Sequence, residues 1–336
     1  MNILFELSKD HDTLPSSEIL CCLKAEDIAY SVVEKNKDVV IVDLDCSSDK
    51  IKKLSRRLSS VFFIDSYLFS SSLNIKKIEE KAEKTPISIN GTIAVRYKNR
   101  SDKKIYSQDV VKALARVYTK NNEVSLKNPD NEIRALITDE KVYVGLKLFE
   151  VNRSVFEERK VQNRPFFSPI SLHPKVALAL VNLSCVKTGE ILLDPFCGTG
   201  GILLEAGILG VKVIGSDIEG KMVEGCRQTL EEYNVKDFDL FCADVGDIIS
   251  HVELVDVVVT DLPYGRSTTT KGEEMDRLYN RAFASIKKVL KEDRVAVIGL
   301  PDTKSIKQGE QYFKLLGVYE FRAHKSLTRY FAVFEK

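Results

Sequence analysis

Several absences narrow this 336-residue chain before any motif does. No apolar run approaches a membrane span; runs such as 202–204 and 257–259 break within a few residues. The first residues carry charge early, at Glu6, and lack a basic-then-apolar leader, so a secreted product is not expected. The seven cysteines (Cys21, Cys22, Cys46, Cys185, Cys197, Cys226 and Cys242) form no C-x-x-C pair and have no histidine partner at zinc spacing. Scattered buried thiols in a reducing cytoplasm, without a metal, are the expectation. No internal repeat or low-complexity segment is present.

What is there reads as a globular protein of two or three domains, 44% hydrophobic and 29% charged. Net charge is +1, unevenly divided: residues 1–165 hold 29 basic against 25 acidic side chains, and the remainder 21 against 24. Such a mild asymmetry permits a nucleic-acid footprint on the front half without requiring one.

Periodicity divides the chain further. Strands are expected over 2–7, 29–34 and 38–43, with a helix over 16–26 capped by Ser16 or Ser17 and another near 48–59. A strand over 61–67 follows, then alternating strands at 87–89 and 93–97. A helix over 107–118 carries Val110, Val111, Leu114 and Val117 on one face, with Ser107 as its cap. After Val124-Ser125-Leu126 and the turn Asn128-Pro129-Asp130, strands are expected at 132–138 and 141–148. Residues 151–170 are polar, with Arg164-Pro165 and Ser168-Pro169, and suggest a linker. Behind it strands recur at 191–195, 211–217, 238–243, 255–261 and 294–300. Two extended runs, 319–325 and 329–334, suit a hairpin. A doubly wound parallel α/β sheet closing in an antiparallel hairpin is the expected fold of the back half, behind an α+β front.

The chemistry-bearing residues fall at the strand tips. Asp194-Pro195-Phe196-Cys197-Gly198-Thr199-Gly200 leads from a buried run into a helix, so the turn can approach a ligand closely and present backbone N–H groups. A G-x-G-x-x-G pattern is missing, and a carboxylate at the tip would repel a pyrophosphate. It suits the cationic amino-acid end of S-adenosylmethionine (SAM). Asp217, with Ile218, stands about twenty residues on, where an acidic side chain takes ribose hydroxyls. Asp244, with Val245, ends the third strand, on the adenine side. At the fourth tip stands Asp261-Leu262-Pro263-Tyr264. A carboxylate and a carbonyl aimed by the following proline can accept both hydrogens of an exocyclic amine, and a tyrosine offers a flat face for the base. Methylation at pyrimidine carbon 5 needs a cysteine nucleophile, and none follows Pro263. Cys197 reads as a small side chain beside the cofactor. His173, before Pro174, suits either a helix start or the cofactor's methionine end. Arg266 and Lys271 could meet phosphates or simply belong to a solvated loop.

Taken together, Asp194-Pro195-Phe196-Cys197-Gly198-Thr199-Gly200 and Asp261-Leu262-Pro263-Tyr264-Gly265-Arg266-Ser267 resemble the archaeal tRNA guanine-10 N2-methyltransferases. The front half, including Leu126-Lys127-Asn128-Pro129-Asp130, is similar to a THUMP RNA-binding domain. Arg164-Pro165-Phe166-Phe167-Ser168-Pro169 is similar to the segment that joins it to the catalytic domain. The resemblance implies a ferredoxin-like unit over 1–50, THUMP over 51–150, a linker over 151–170 and a Rossmann-like methyltransferase over 171–336. It implies methylation of the guanosine-10 amino group in tRNA, with Arg96, Lys98, Lys127 and Arg266 as RNA contacts. A cytoplasmic monomer acting on neither DNA nor membrane is expected. The family commonly has Asp-Pro-Pro-Tyr, and Leu262 departs from it, which bears on whether one or two methyls are added. The alternatives are N2-guanine methylation in ribosomal RNA or elsewhere in tRNA, and a non-catalytic RNA-binding protein with a vestigial methyltransferase fold.

Overall fold

Two sheets of seven strands each organise the chain, one per compact unit. The computed structural model describes residues 1–102, 106–168, 171–264, 274–324 and 327–336. One unit comprises residues 1–12, 28–56 and 61–152; the other comprises 13–27, 57–60 and 153–336.

The first unit contains β1 (Asn2–Leu7), β2 (Tyr30–Lys35), β3 (Val39–Leu44), most of α2 (Ser48–Arg57), β4 (Val61–Ser72), α3 (Ile75–Glu83), β5 (Ile93–Asn99), α4 (Ser107–Tyr118), β6 (Asn131–Ile137) and β7 (Lys141–Glu150). Its strand order is β2-β3-β1-β4-β7-β6-β5, antiparallel except for the parallel pair β5–β6. The twelve-residue β4 joins the two halves, pairing with β1 on one side and β7 on the other. Ile78 and Ala82 of α3 pack with Val110 and Leu114 of α4 against Ile93, Ile133 and Val144 of the sheet.

Several local expectations need correction here. Ile87-Ser88-Ile89 forms no strand; Ile87 and Ile89 pack against this core outside any ladder. Residues 124–126 contribute one isolated bridge, Val124 to Ile93. The cap of α4 is Tyr106, not Ser107. Helix α3 escapes periodicity because its Lys/Glu-rich sequence buries only Ile78 and Ala82.

The second unit contains α1 (Leu14–Ala25), α5 (Val155–Glu158), α6 (Pro174–Leu183), β8 (Ile191–Asp194), α7 (Gly201–Ile208), β9 (Lys212–Asp217), α8 (Gly220–Glu232), β10 (Phe238–Cys242), β11 (Val257–Asp261), α9 (Met275–Val289), β12 (Val295–Leu300), α10 (Thr303–Gly309), β13 (Lys314–His324) and β14 (Leu327–Glu335). Its order is β10-β9-β8-β11-β12-β14-β13. Strands β8 to β12 are parallel, and β14 enters antiparallel between β12 and β13. From β8 the chain winds outward through β9 and β10, then returns to β11 on the other side. A crevice therefore opens at the carboxyl ends of β8 and β11, where ligands bind in such sheets. Two apolar layers flank the sheet, one around Leu192, Leu203 and Val259, the other around Val258, Phe283 and Ile298.

Helix α1 belongs to this unit although it follows β1 in sequence. It begins at Leu14 with Pro15 in its first turn, two residues before the expected start, and Ser16 instead donates to the Thr13 carbonyl. Fully buried Glu18 holds it in place by accepting from Ser59 N–H and Oγ, Ser60 N–H and Asn182 Nδ2. Arg57 completes the cluster by donating to Asn182 Oδ1 and the Val186 carbonyl. A buried carboxylate is tolerated because its lone pairs are taken. Among the described residues no helix is long and apolar enough to cross a membrane.

Candidate active site

The turn after β8 is built on two glycines that adopt the left-handed region. Gly198 has φ +49° and Gly200 φ +79°, conformations that strain any other L-residue. A Cβ on Gly200 would stand 2.6 Å from Cys226 Sγ, so the turn also lies tight on α8. Cys197 N–H donates to the Ser216 carbonyl and Gly200 N–H to the Cys197 carbonyl, closing the turn onto β9.

A cavity of about 440 Å³ opens at this point, within the second unit. Asp194, Pro195, Phe196, Cys197, Gly198 and Thr199 line one wall; Asp217 and Ile218 continue it; Asp244 and Val245 follow; Asp261, Leu262, Pro263 and Tyr264 close it. Of the residues expected at the site, Gly200 alone among these stands back, at the start of α7. Arg266 and Lys271 lie outside the described residues. Arg96, Lys98 and Lys127 belong to the other unit; Lys98 and Lys127 are exposed, while Arg96 donates to the Leu126 carbonyl and lies 3.8 Å from Glu132. His173 is the cap of α6, its Nδ1 accepting from Lys175 N–H at 3.2 Å, and it does not line the cavity.

The cavity is strongly acidic. Asp194, 2% exposed, accepts from Thr260 Oγ1 at 2.6 Å and Phe196 N–H at 3.1 Å. Burial pushes its carboxyl up to about 7 despite those two bonds, with the nearby charges of Asp261 and Asp217 adding to the rise. Asp217 accepts from Gly198 N–H at 3.1 Å and Glu219 N–H at 2.9 Å, which ties the glycine turn to the tip of β9. Burial nevertheless raises it above the usual carboxylate range. Asp244 stands two residues beyond β10, held by Gly246 N–H and by Arg281 of α9. Like charges in one partly dry cavity repel, so the site favours a cationic ligand.

At the fourth tip the backbone is clamped on both sides. Leu262 N–H donates to the Gly299 carbonyl at 3.1 Å, and the Tyr279 hydroxyl donates to the Pro263 carbonyl at 2.7 Å. Leu262 is 1% exposed and its side chain packs in the apolar layer of α9, with Leu278 and Ala282. Among the described residues no backbone N–H donates to the Leu262 carbonyl. The Tyr264 hydroxyl donates to Asp261 Oδ1. Burial raises the Asp261 carboxyl, against the lowering influence of Arg329 and Tyr264. Gly299 opposite is obligatory for this geometry: a Cβ there would fall 2.1 Å from Asp261 Oδ1 and 2.8 Å from the Tyr264 hydroxyl.

Several further residues at the site were not among those expected there. Ser168 of the expected linker lines the cavity, as do Ser171 and Leu172 just behind it, with Ser171 and Thr199 hydroxyls 2.9 Å apart. The ring of Phe166 packs so closely on α8 that a Cβ on Gly225 would stand 2.1 Å from it. The run of Arg, Pro and aromatic residues was the available signal. Glu219, Met222 and Leu278 also line the cavity.

Comparison with known proteins agrees with this geometry. The family model described as RMKL-like, methyltransferase domain matches residues 162–330, and the THUMP domain model matches 74–147. The chain is 33% identical over 343 residues to the tRNA (guanine(10)-N2)-dimethyltransferase of Methanothermobacter thermautotrophicus, covering 100% of both chains. It is 30% identical over 358 residues to the protein of the same name from Methanocaldococcus jannaschii, covering 99% of each. In fold it resembles the crystal structure of TrmN from Thermus thermophilus, with TM-score 0.60 over 100% of both chains at 18% identity. A THUMP domain ahead of a SAM-dependent methyltransferase fold, matched end to end by two archaeal proteins, makes this chain a member of the tRNA (guanine(10)-N2)-dimethyltransferase family.

Proposed function

We infer that the protein transfers a methyl group from SAM to the N2 amino group of guanosine 10 in tRNA. The observation that carries this is the convergence of the glycine turn, Asp217 and Asp261-Leu262-Pro263-Tyr264 on one acidic cavity. Its volume suits a cofactor, within the roughly 300–1,000 Å³ of small-molecule sites. When bound, SAM supplies a methyl group on a sulfonium that keeps the electron pair of the broken carbon–sulfur bond. Asp194 and the turn N–H groups would take its methionine end, Asp217 the ribose hydroxyls, and Asp244 with Val245 the adenine.

The chain's own part in transfer is positioning and charge. Asp261 and the Leu262 carbonyl accept the two N–H groups of the amine, so its lone pair faces the methyl carbon and forms the new bond. The surplus proton leaves by way of Asp261 to solvent. Tyr264 stacks on the guanine, and its hydroxyl must first vacate Asp261 Oδ1, which it occupies in the structure. No covalent enzyme intermediate or metal enters this scheme. Two successive transfers, giving N2,N2-dimethylguanosine, match the name of the full-length relatives. A monomer working in the cytoplasm, with Lys98 and Lys127 among its RNA contacts, completes the proposal. Mass spectrometry of nucleosides in tRNA from cells with and without the gene tests it. Loss of N2-methylated guanosine is expected, and an unchanged content would overturn it.

Ionisation of Asp194 gives SAM binding a pH dependence. A cationic ligand favours the ionised carboxylate, so binding below about pH 7 must expel a proton. Affinity should fall about tenfold per pH unit below that point and level off above it. The unliganded fold should behave oppositely: a carboxyl raised on folding makes stability fall as pH climbs from the ordinary carboxylate range to about 7. Calorimetric SAM titrations from acid to mildly alkaline pH check the first statement, and an affinity flat across that range contradicts it.

A further inference from the structure

We propose that Arg329 is a positioning residue for methyl transfer, holding the Asp261 carboxylate as a hydrogen-bond acceptor for the amino group. The proposal rests on the role given to Asp261 above and adds a residue that no motif marks. Arg329 comes from near the start of β14. That strand runs antiparallel to β12, with Tyr330 opposite Leu300 and Phe331 opposite Gly299. Its beginning therefore lies at the carboxyl ends of the parallel strands, where β11 delivers Asp261.

The side chain is buried, with the residue 7% exposed, and does not line the cavity. Its Nη1 lies 3.6 Å from Asp261 Oδ2, and its guanidinium carbon lies 5.3 Å from the centre of the Tyr264 ring. Its Nε is buried with no hydrogen-bond partner among the described residues. Burying a guanidinium with one nitrogen unpaired is costly for folding, and replacing a buried ion pair by apolar side chains is often neutral or stabilising. Function explains its place. Arg329 holds one carboxylate oxygen from behind while Tyr264 caps the other from the cavity side. When the guanine amine displaces the tyrosine hydroxyl, the Arg329 pair persists, so the carboxylate neither swings away nor takes up a proton.

Among the described residues the groups facing Asp261 are Arg329 from β14, Tyr264 after β11, Tyr279 from α9 and Asp194 from β8. Arg329 is the only cation among these four. Without it, the raising effect of burial is opposed by the Tyr264 hydrogen bond alone among these groups, and Asp261 ionises only at higher pH.

The test uses the full chain as wild type, Arg329→Met, Arg329→Gln and Arg329→Lys, with single-turnover transfer to transcribed tRNA followed from acid to alkaline pH. Both neutral variants should be slower by about 10- to 100-fold near neutrality. The deficit should shrink as pH rises, SAM affinity should hold, and Arg329→Lys should restore the wild-type acidic limb. Profiles parallel to wild type at every pH, or wild-type rates in both neutral variants, would overturn the proposal. Carbon-13 carboxylate NMR of Asp261, titrated without RNA, separates this proposal from the assigned substrate. An upward move of its midpoint in whichever neutral variant folds supports the role of Arg329 whatever base is methylated, and an unmoved midpoint rejects it.

Discussion

Asp261→Asn is expected to slow methyl transfer by about 10²- to 10³-fold, the scale seen when one charge-stabilising group is removed from a transition state. Asparagine keeps the shape that Gly299 and Tyr264 pack against, so the fold and the cavity should survive. What is lost is a full negative charge beside the nitrogen that becomes cationic, together with an acceptor for its hydrogen. Because the residue does not serve the turn that holds the cofactor, SAM affinity should stay within about twofold, and the loss should appear in kcat and kcat/KM together. Single-turnover rates with SAM titrations on the same samples check it. A variant that loses SAM binding but transfers at the normal rate when saturated would assign Asp261 to the cofactor instead.

Gly299→Ala is the second large effect. The new methyl group would stand 2.1 Å from Asp261 Oδ1, 3.0 Å from its Cγ and 2.8 Å from the Tyr264 hydroxyl. Two groups of the transfer site must then shift together. Neither is the far end of a free surface chain, since Asp261 is tethered to Arg329 and Tyr264 lies against it. Displacement on the order of 1 Å at reacting groups costs about 10²-fold in rate. Gly299 lies in β12 with an ordinary backbone conformation, so the substitution should leave the fold and SAM binding nearly unchanged. Wild-type transfer by Gly299→Ala would mean that Asp261 and Tyr264 need not stand where the structure holds them.

The parts of this site that sequence reveals are those encoded locally. Asp194 to Gly200 is legible because a buried strand, two glycines with positive φ and a helix start must follow one another within a dozen residues. Asp217 and Asp261 are legible because each closes a short apolar run, and strand ends in a parallel sheet converge by topology. The hairpin that ends the chain is likewise visible as two extended runs. Arg329 is illegible for the opposite reason: it reaches the site only through the antiparallel insertion of β14 beside β12. Helix α1 shows the same limit at the level of units. Its neighbours in sequence belong to the first sheet, yet the cluster of Glu18, Arg57 and Asn182 holds it in the second unit, which local periodicity cannot express.

Leu262 illustrates how structure changes the meaning of an irregular residue. As a replacement for proline it looks like lost rigidity. In the fold, Gly299 and Tyr279 clamp the backbone on either side of it, and its own side chain anchors in the apolar layer beneath. Proline at this position would lack the N–H that Gly299 accepts, so here the hydrogen bond and the buried leucine do the aiming that a second ring does elsewhere.

The most direct measurement of the central claim is transfer of labelled methyl groups from SAM to an unmodified tRNA transcript carrying guanine at position 10, run beside the same transcript with adenine there. Label should accumulate as N2-methylated guanosine on the first and be absent from the second. Equal incorporation into both transcripts, or label on any atom other than N2 of that guanine, would contradict the account.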